Sequence, residues 1–421
     1  MRNPLTKAMT RRPLSPLRAH VAGIALLLMI RGAAFADCPS GDLDGDCAVG
    51  PAELALLANQ WLTDAPASAD VSGDGRVDGE DLAILGRQWR GRGCPIVINE
   101  LLAHSHAEAA DWIELYNASR IPIDIGGWFL SDDQSDLTRY QVAAGTVIPP
   151  QSYLVLFEST HFANPFDPGV QTPFAFSENG ETAYLFSGND PMFPDCLIEQ
   201  RFGASETGSS FGRHRKSTGS FDFALMQHPT PGRANVQPLV GPVVINEIMY
   251  HPAGDGDAEY LELLNVSVGP IHLFDRATML PWRFADEAGI DFHLPADPPI
   301  TLEVGEHLLL VKDPTAMRMY SVPAGTRVVA WGSGKLANRG ERLRLLKTGD
   351  LDDRGTRYWI EVDVLDYSDG SHSEGFPGRV DPWPTEADGG GLSLNRIWPA
   401  RYGNDPNNWH ATIPTPGATN D

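Results

Sequence analysis

The feature that most constrains the fold of this chain is a long internal duplication. The stretch IVINELLAHSHAEAADWIELYN (96–117) is echoed by VVINEIMYHPAGDGDAEYLELLN (243–265). Each copy opens with an apolar strand that ends in Asn-Glu, passes through a polar loop and enters a strand of alternating apolar and polar residues. Each copy closes on PTPG, at 229–232 and 414–417, with an asparagine three residues later. Most of the chain must therefore consist of two copies of one fold.

The composition of both copies indicates strands rather than helices. Short runs of period two are separated by turns rich in Gly, Pro and Asp, and the chain contains 42 glycines and 34 prolines. This pattern is typical of a β-sandwich. We place the two sandwiches at residues 95–235 and 242–420. The linker between them, VQPLVGP (236–242), is short and predicts limited motion.

Several motifs of the two copies resemble those of the lamin tail domain. The motifs are VINE, DWIELYN with EYLELLN, IGGWFLSDD and the PTPG endings. The second copy departs from this pattern from Gly269 onward and carries a longer insert, ADGGGLSLNRIWPARYGNDPNNW (387–409). The resemblance implies two immunoglobulin-like sandwiches of the kind also found in secreted bacterial proteins, a fold that is not catalytic as a class.

A shorter duplication precedes the first sandwich. DLDGDCAVGPAEL (42–54) returns as DVSGDGRVDGEDL (70–82). Side-chain oxygens fall at loop positions one, three, five and twelve, and a backbone carbonyl falls at seven, which is how a loop surrounds Ca²⁺ with six to eight oxygens. The sequence therefore predicts two calcium ions. The predicted ligands are Asp42, Asp44, Asp46, the Ala48 carbonyl and Glu53 in the first loop, and Asp70, Ser72, Asp74, the Arg76 carbonyl and Asp81 in the second.

Each loop leads into a single helix that ends in a tryptophan, Trp61 or Trp89. The paired units resemble the dockerin type I domain over residues 37–94. The resemblance implies a small all-α module that is ordered by calcium and docks through its helices onto a cohesin-like protein domain. Cys47 replaces the glycine expected at loop position six, and Gly50 replaces a polar residue at position nine. We therefore expect the first loop to bind calcium more weakly or to depend on a disulfide at Cys47.

The first 36 residues have the composition of an export signal. They contain six basic residues and no acidic one, followed by the apolar run VAGIALLLMI and the ending Ala34-Phe35-Ala36. This order predicts a secretory signal peptide that is cleaved near Ala36. The apolar run is too short to span a bilayer, so we expect a secreted or cell-surface protein with no membrane span in the mature chain.

The charge and the cysteines of the mature chain add two expectations. Removing six of the 32 basic residues leaves 26 against 55 acidic residues. Such a surface repels phosphate backbones, so no nucleic-acid partner is expected. The four cysteines are Cys38, Cys47, Cys94 and Cys196. In an oxidising compartment a disulfide within the first three is expected, and Cys38 with Cys94 would join the two ends of the first module, but the sequence leaves the pairing open.

Residues that carry catalysis are not evident. The sequence contains no G-x-S-x-G, H-E-x-x-H or P-loop motif, so we predict that the protein is not an enzyme. The loop HSHAEAAD (104–111) offers metal ligands, although variable loops are usually only solvated. Glu114 and Glu262 are interpreted as carboxylates of a polar sheet face or of a local pair rather than as an acid/base pair. The basic run GRHRK (212–216) is interpreted as a solvated hairpin rather than as an anion site. Seven tryptophans offer rings that can stack on sugars, but core packing is expected for most of them: Trp128, Trp282, Trp331, Trp359, Trp383, Trp398 and Trp409.

The predicted function is assembly without catalysis. A calcium-ordered module docks onto a cohesin-like partner, and two sandwiches present surface for extracellular interaction, with polysaccharide or a cell-surface matrix as a candidate ligand. One alternative is a component of an extracellular polysaccharide-degrading assembly, in which a sandwich binds or hydrolyses glycan. Another is a calcium switch that has no cohesin partner.

Overall fold

The structure is a computed structural model. It describes residues 38–64, 66–106, 109–190, 193–194, 196–254, 256–352, 355–373, 376 and 380–420. The predicted signal peptide lies outside these residues. Residues 34–421 group into one compact unit. Within the described part of the chain, no helix has the length and apolar character needed to cross a membrane.

The first module is built from two short helices, α1 (Pro51–Asn59) and α2 (Gly79–Gln88). Each helix starts at the end of an aspartate loop, where an acidic side chain in the first turn accepts a hydrogen bond from the backbone N–H just before the helix. Glu53 accepts from Gly50, and Asp81 accepts from Asp78. Among the residues of this module that the structure describes, the apolar core is a cluster of five buried side chains, Val49, Leu57, Ala69, Val77 and Leu85. A core of this size rarely stabilises a domain without a further cross-link or metal.

In its described residues, the first sandwich has eleven antiparallel strands. They are β1 (Ile96–Leu102), β2 (Trp112–Asn117), β3 (Ile123–Asp124), β4 (Phe129–Ser131), β5 (Tyr140–Gln141), β6 (Val147–Ile148), β7 (Tyr153–Phe157), β8 (Thr182–Phe186), β9 (Leu197–Arg201), β10 (Phe211–Arg215) and β11 (Phe221–Leu225). One sheet has the order β11-β10-β1-β2-β7 and the other β5-β4-β8-β9, while β3 pairs with β6. Apolar residues of both sheets share one core, which includes Ile98, Leu115 and Leu185.

The second sandwich repeats this arrangement. Its strands are β12 (Val243–Met249), β13 (Tyr260–Asn265), β14 (Ile271–His272), β15 (Arg283–Ala285), β16 (Asp291–His293), β17 (Thr301–Leu302), β18 (His307–Val311), β19 (Arg327–Ala330), β20 (Gly340–Leu351), β21 (Arg357–Ser368), β22 (Ser393–Arg396) and β23 (Trp409–Thr412). The sheet orders are β19-β18-β13-β12-β22-β23 and β16-β15-β20-β21, while β14 pairs with β17. The added strand β19 is parallel to β18.

The two sandwiches share a strand order and also an irregularity. The first strand of each shifts register just before its glutamate, between Ile98 and Glu100 in β1 and between Ile245 and Glu247 in β12. A shared bulge at one position is a feature of the fold and not an accident of packing. The predicted fold class, mainly β with two sandwiches behind a small helical module, is confirmed.

The disulfides differ from the pairing that joins the two ends of the first module. Cys38 pairs with Cys47, at a Cα–Cα distance of 4.5 Å, and Cys94 pairs with Cys196, at 5.8 Å. The disulfide expected within the first three cysteines is thus confirmed as Cys38–Cys47, and the possible Cys38–Cys94 pairing does not form, because Cys94 belongs to the core of the first sandwich. It lies just before β1, and Cys196 lies just before β9, so this disulfide connects the two sheets.

The first calcium loop rests against the first sandwich. The Arg120 N–H donates a hydrogen bond of 2.9 Å to the Gly45 carbonyl in the middle of the loop. Gly45 has a φ of 86°, and a Cβ at this position would lie 2.5 Å from Cδ of Arg120. Only glycine fits there, because both the backbone conformation and the Arg120 side chain exclude a larger residue.

The two sandwiches also contact each other. Asp222 at the end of the first sandwich accepts hydrogen bonds from the Tyr402 hydroxyl and the Asn404 amide of the second, each at 2.9 Å. Ala204 and Ile360 form a parallel bridge between the two. These contacts agree with the limited motion expected from the short linker.

Candidate metal centre

In the first loop, Asp42 organises the backbone. Its Oδ1 accepts hydrogen bonds from the N–H groups of Gly45, at 2.7 Å, and Asp46, at 3.1 Å, and its Oδ2 accepts one from Cys47 at 3.0 Å. Asp44 in turn accepts from the Asp46 N–H at 3.1 Å. The loop therefore curls around its own acidic side chains.

The four predicted carboxylate ligands of this loop converge. Asp42, Asp44, Asp46 and Glu53 each offer an oxygen, and these oxygens all lie within 4.8 Å of one another. Glu53 Oε1 is buried and has no hydrogen-bond partner. A buried carboxylate oxygen without a donor is costly unless a cation compensates it. The residues present thus fit a hard divalent cation such as Ca²⁺.

The protonation behaviour of two of these groups reflects the crowding. Burial raises the pKa of Asp42, and the neighbouring Asp46 and Asp44 carboxylates raise it further, against hydrogen bonds that lower it. Burial likewise raises the pKa of Glu53, and the same two aspartates add to the effect. Negative charges held this close repel one another until a cation is bound.

The second loop resembles the first in its backbone but differs at position twelve, where Asp81 takes the place of a glutamate. Asp81 accepts hydrogen bonds through Oδ1 from the N–H groups of Val71 and Ser72, at 2.8 and 2.9 Å, and through Oδ2 from that of Asp78 at 2.8 Å. Burial acts to raise the pKa of Asp81, but these hydrogen bonds outweigh it and the pKa is lowered. Within the part of the chain that the structure describes, Asp70, Asp74 and Asp81 do not form a convergent group.

Position six of each loop has a left-handed backbone conformation. Cys47 and Gly75 both occupy position six with positive φ, 62° and 96°. The first loop therefore holds a non-glycine residue, Cys47, in a left-handed conformation, and this residue is tied to Cys38 by a disulfide. Of the two expectations for this loop, the disulfide favours dependence on Cys47.

The carbonyls predicted as ligands at position seven lie beside short bridges. The bridge beside Ala48 uses the Cys47 carbonyl and the Val49 N–H, so it does not engage the Ala48 carbonyl. Arg76 forms the equivalent bridge, with Asp64.

Both helices leave large apolar side chains in solvent at equivalent positions. Leu54 and Leu82 are 41% and 42% exposed, and the tryptophans that follow the helices, Trp61 and Trp89, are 42% and 40% exposed. Leu62 adds a further exposed side chain. A duplicated apolar surface on so small a module is typical of a protein–protein contact.

In the described part of the loop HSHAEAAD (104–111), the polar side chains make hydrogen bonds within the first sandwich. His104 Nδ1 lies 2.9 Å from the Ser205 carbonyl, and Asp111 accepts a hydrogen bond from the Ser105 N–H at 3.1 Å. Glu108 lies outside the described residues. The described residues of HSHAEAAD do not form a group with metal-ligand spacing.

Glu114 and Glu262 are fully buried, so they do not lie on a polar sheet face. The alternative of a local pair holds, because Glu114 accepts a hydrogen bond from the Asn99 amide at 2.7 Å and Glu262 accepts one from the Asn246 amide at 2.8 Å. The PTPG segment of each copy folds over them. Glu114 accepts a hydrogen bond from the Gly232 N–H, and Glu262 accepts one from the Gly417 N–H at 2.6 Å. These glutamates hold the end of each sandwich in place.

A second buried glutamate lies beside each of them. Glu100 is the cross-strand partner of Glu114, and Glu247 is that of Glu262. Thr230 donates to Glu100 through its N–H, at 2.9 Å, and its hydroxyl, at 2.6 Å. We call each set the carboxylate clasp: Glu100, Glu114, Thr230 and Gly232 in the first sandwich, and Glu247, Glu262, Thr415 and Gly417 in the second.

The asparagine after each PTPG completes the closure. Asn235 Nδ2 donates to the Asn99 carbonyl at 3.0 Å, and Asn420 Nδ2 donates to the Asn246 carbonyl at 3.0 Å. Sequence reasoning missed this link. The signal was the recurrence of Asn-Glu in the first strand together with PTPG and asparagine at the end of the same copy.

The carboxylate clasp gives the first sandwich a pH dependence. Burial raises the pKa of Glu114 from 4.5 to about 7. Because the folded state holds this proton more tightly, the stabilisation is fully present below about pH 4.5 and is lost as the pH rises through about 7. We expect Glu114→Gln, which stays neutral, to flatten the fall in melting temperature over this range. Calorimetric unfolding from about pH 5 to pH 8 measures this, with the exposed Glu303→Gln as control. An unchanged slope in Glu114→Gln would contradict it.

Comparison with known protein families agrees with this geometry. Residues 40–88 match the Dockerin type I domain, and residues 92–192 match the Lamin Tail Domain. No curated protein matches the chain. Dockerin type I domains bind calcium and dock onto cohesins, and the chain therefore combines a calcium-binding docking module with an immunoglobulin-like domain.

Proposed function

We propose that this protein is a secreted, non-catalytic component of an extracellular assembly. Residues 1–36 direct its export, with cleavage near Ala36. Residues 37–94 bind two calcium ions and attach the chain to a cohesin-like domain. Residues 95–235 and 242–420 are two lamin-tail-type sandwiches that present surface to a further ligand. The shared strand order and bulge support a common origin for the two sandwiches.

One observation carries the docking proposal. The carboxylates of Asp42, Asp44, Asp46 and Glu53 converge in the first loop, and the helix that follows exposes Leu54. Bound calcium would neutralise these carboxylates and fix the loop that begins the helix. The Ala48 carbonyl and the ligands predicted for the second loop complete the proposed set.

The test is calcium-dependent binding of the full chain to a panel of type I cohesin domains. We expect binding in calcium, and its loss with chelator and in the double variant Leu54→Asp with Leu82→Asp. The fully exposed Val268→Asp on the second sandwich is the matched control and should bind normally. Calcium binding with helix gain but no cohesin binding would favour the calcium switch, and the absence of both would refute the proposal.

A further inference from the structure

A cleft of about 920 Å³ opens where the two sandwiches meet. One wall is the hairpin of β10 and β11, which carries the basic run 212–216. The other wall is residues 398–408, from the insert that departs from the pattern of the first copy. The linker between the sandwiches contributes the floor.

The walls of the cleft are fixed to each other. Asp222 accepts from Lys216 Nζ at 2.9 Å and also binds Tyr402 and Asn404 of the opposite wall. Asp405 accepts hydrogen bonds from the N–H and the hydroxyl of Ser217. The run 212–216 is a hairpin, as expected, but it faces the second sandwich across a preformed concave surface.

Two guanidinium groups in this cleft have no acidic partner. Arg215 and Arg401 are exposed, and no described carboxylate lies within 4.0 Å of either. The carboxylates of Asp222 and Asp405 are already engaged by the contacts above. In a chain with a net charge of −23, positive charge concentrated in a concave site attracts an anion.

An aromatic face lies next to these charges. Trp398 is 53% exposed, whereas Trp128, Trp282, Trp331, Trp383 and Trp409 are buried. The Arg401 guanidinium carbon lies 4.8 Å from the centre of the Trp398 ring. Asn408 fixes the segment, because it accepts from the Trp398 N–H at 2.9 Å and donates to the Trp398 carbonyl at 3.1 Å. A rigid exposed indole is suited to stacking on the apolar face of a sugar ring.

The remaining lining is polar and neutral. Gln227, Gln237 and Asn407 are exposed amides that offer both donors and acceptors, as sugar hydroxyls require. Burial lowers the pKa of His214, outweighing the carboxylates of Asp222 and Asp405, and this favours the neutral imidazole. The positive charge of the cleft therefore comes from arginine and lysine and does not change near neutral pH.

We infer that this cleft binds an acidic polysaccharide. Arg215 and Arg401 would engage its carboxylate or sulfate groups, Trp398 would stack on a sugar ring, and the amides would bond its hydroxyls. The inference deepens the role proposed for the sandwiches and rests on it, but it does not require calcium or docking. Both sandwiches contribute to the site.

The test measures binding of the full chain to two matched pairs of polymers by calorimetry and affinity electrophoresis. Polygalacturonate is compared with its methyl ester, and dextran sulfate with dextran. We expect binding to at least one charged polymer, at least tenfold weaker binding to its neutral partner, and weakening as salt rises. Preference for the carboxylate or the sulfate polymer identifies the anionic group.

Variants assign the binding to the cleft. Arg401→Gln, Arg215→Gln and Trp398→Ala should each lower affinity at least tenfold, with unchanged circular dichroism. Arg276→Gln removes an exposed charge elsewhere on the second sandwich and should have no effect. All measurements are repeated in chelator, so binding that persists while cohesin docking fails separates the two proposals. Failure of both charged polymers to bind, equal binding of the neutral partners, or equal loss in Arg276→Gln would overturn the inference.

Discussion

Replacing Glu53 by alanine is expected to lower the calcium affinity of the first loop at least about a hundredfold, since changes in the supporting shell of a metal site alone cost about 10–100-fold. One buried oxygen of Glu53 has no hydrogen-bond partner, and the Glu53 carboxylate offers an oxygen within 4.8 Å of oxygens of three aspartates. Its removal takes away the ligand that closes the loop. Calorimetric titration of the full chain should then show the loss of one tight ion.

The matched variant in the second loop should behave differently. Asp81 is one methylene shorter than Glu53, and both of its oxygens accept backbone hydrogen bonds. Calcium binding there has to compete with those bonds, so the second loop should be the weaker site. Asp81→Ala should cost folding stability even in chelator, whereas the exposed Glu80→Ala should change neither stability nor calcium binding. Two tight ions in Glu53→Ala, or a tighter second loop, would contradict this assignment.

The carboxylate clasp of the second sandwich should respond as strongly to truncation. Glu247 accepts hydrogen bonds from the hydroxyls of Tyr260 and Ser393, each at 2.5 Å, and from the Thr415 N–H at 3.0 Å. In Glu247→Ala these buried donors lose their acceptor, at a cost of about 1–3 kcal/mol each. We expect the second sandwich to lose about 3–5 kcal/mol of unfolding free energy.

Denaturant unfolding, followed by hydrogen exchange of the β12 and β13 amides, measures this loss. Glu247→Gln keeps the shape and one acceptor oxygen, so its loss should be smaller. Glu303→Ala, an exposed carboxylate of the same sandwich, should change stability by less than about 0.5 kcal/mol. The β1 and β2 amides of the first sandwich should be unaffected. A loss in Glu247→Ala as small as that of Glu303→Ala would show that the clasp is not a stabilising element.

The duplications made much of the fold predictable. Alternating residues placed β2 and β13, and the apolar runs before Asn-Glu placed β1 and β12, because strand periodicity is a local property. The calcium ligands were predictable for the same reason, since they lie within twelve residues of one another. The difference between the loops was not, because it depends on whether a side chain at position twelve reaches the other ligands or bonds the backbone. The sequence shows that Asp81 is shorter than Glu53, but the three backbone hydrogen bonds that Asp81 accepts are evident only in the folded loop.

The features that the sequence did not predict depend on residues far apart in the chain. Cys94 and Cys196 are separated by 102 residues, and only the pairing of two sheets brings them together. Arg215 and Arg401 line one cleft because residues of both sandwiches form its walls. Tertiary packing of this kind leaves no local periodicity. Glu114 was misread for a related reason, since its burial comes from a segment more than a hundred residues further on.

The bond from the closing asparagine to the first strand has a consequence for how such proteins evolve. Asn235 donates a hydrogen bond to the Asn99 carbonyl, and Asn420 donates one to the Asn246 carbonyl. The chain therefore enters and leaves each sandwich at neighbouring points. A domain with adjacent ends behaves as a cassette, because it can be copied in tandem or inserted into another protein without strain on its flanking segments. The carboxylate clasp holds the closing segment of each sandwich onto its first two strands by contacts within that sandwich. The gene can therefore lengthen by whole domains. Later substitutions at the junction between two domains can then create a site that one domain alone does not have, such as the cleft between the two sandwiches.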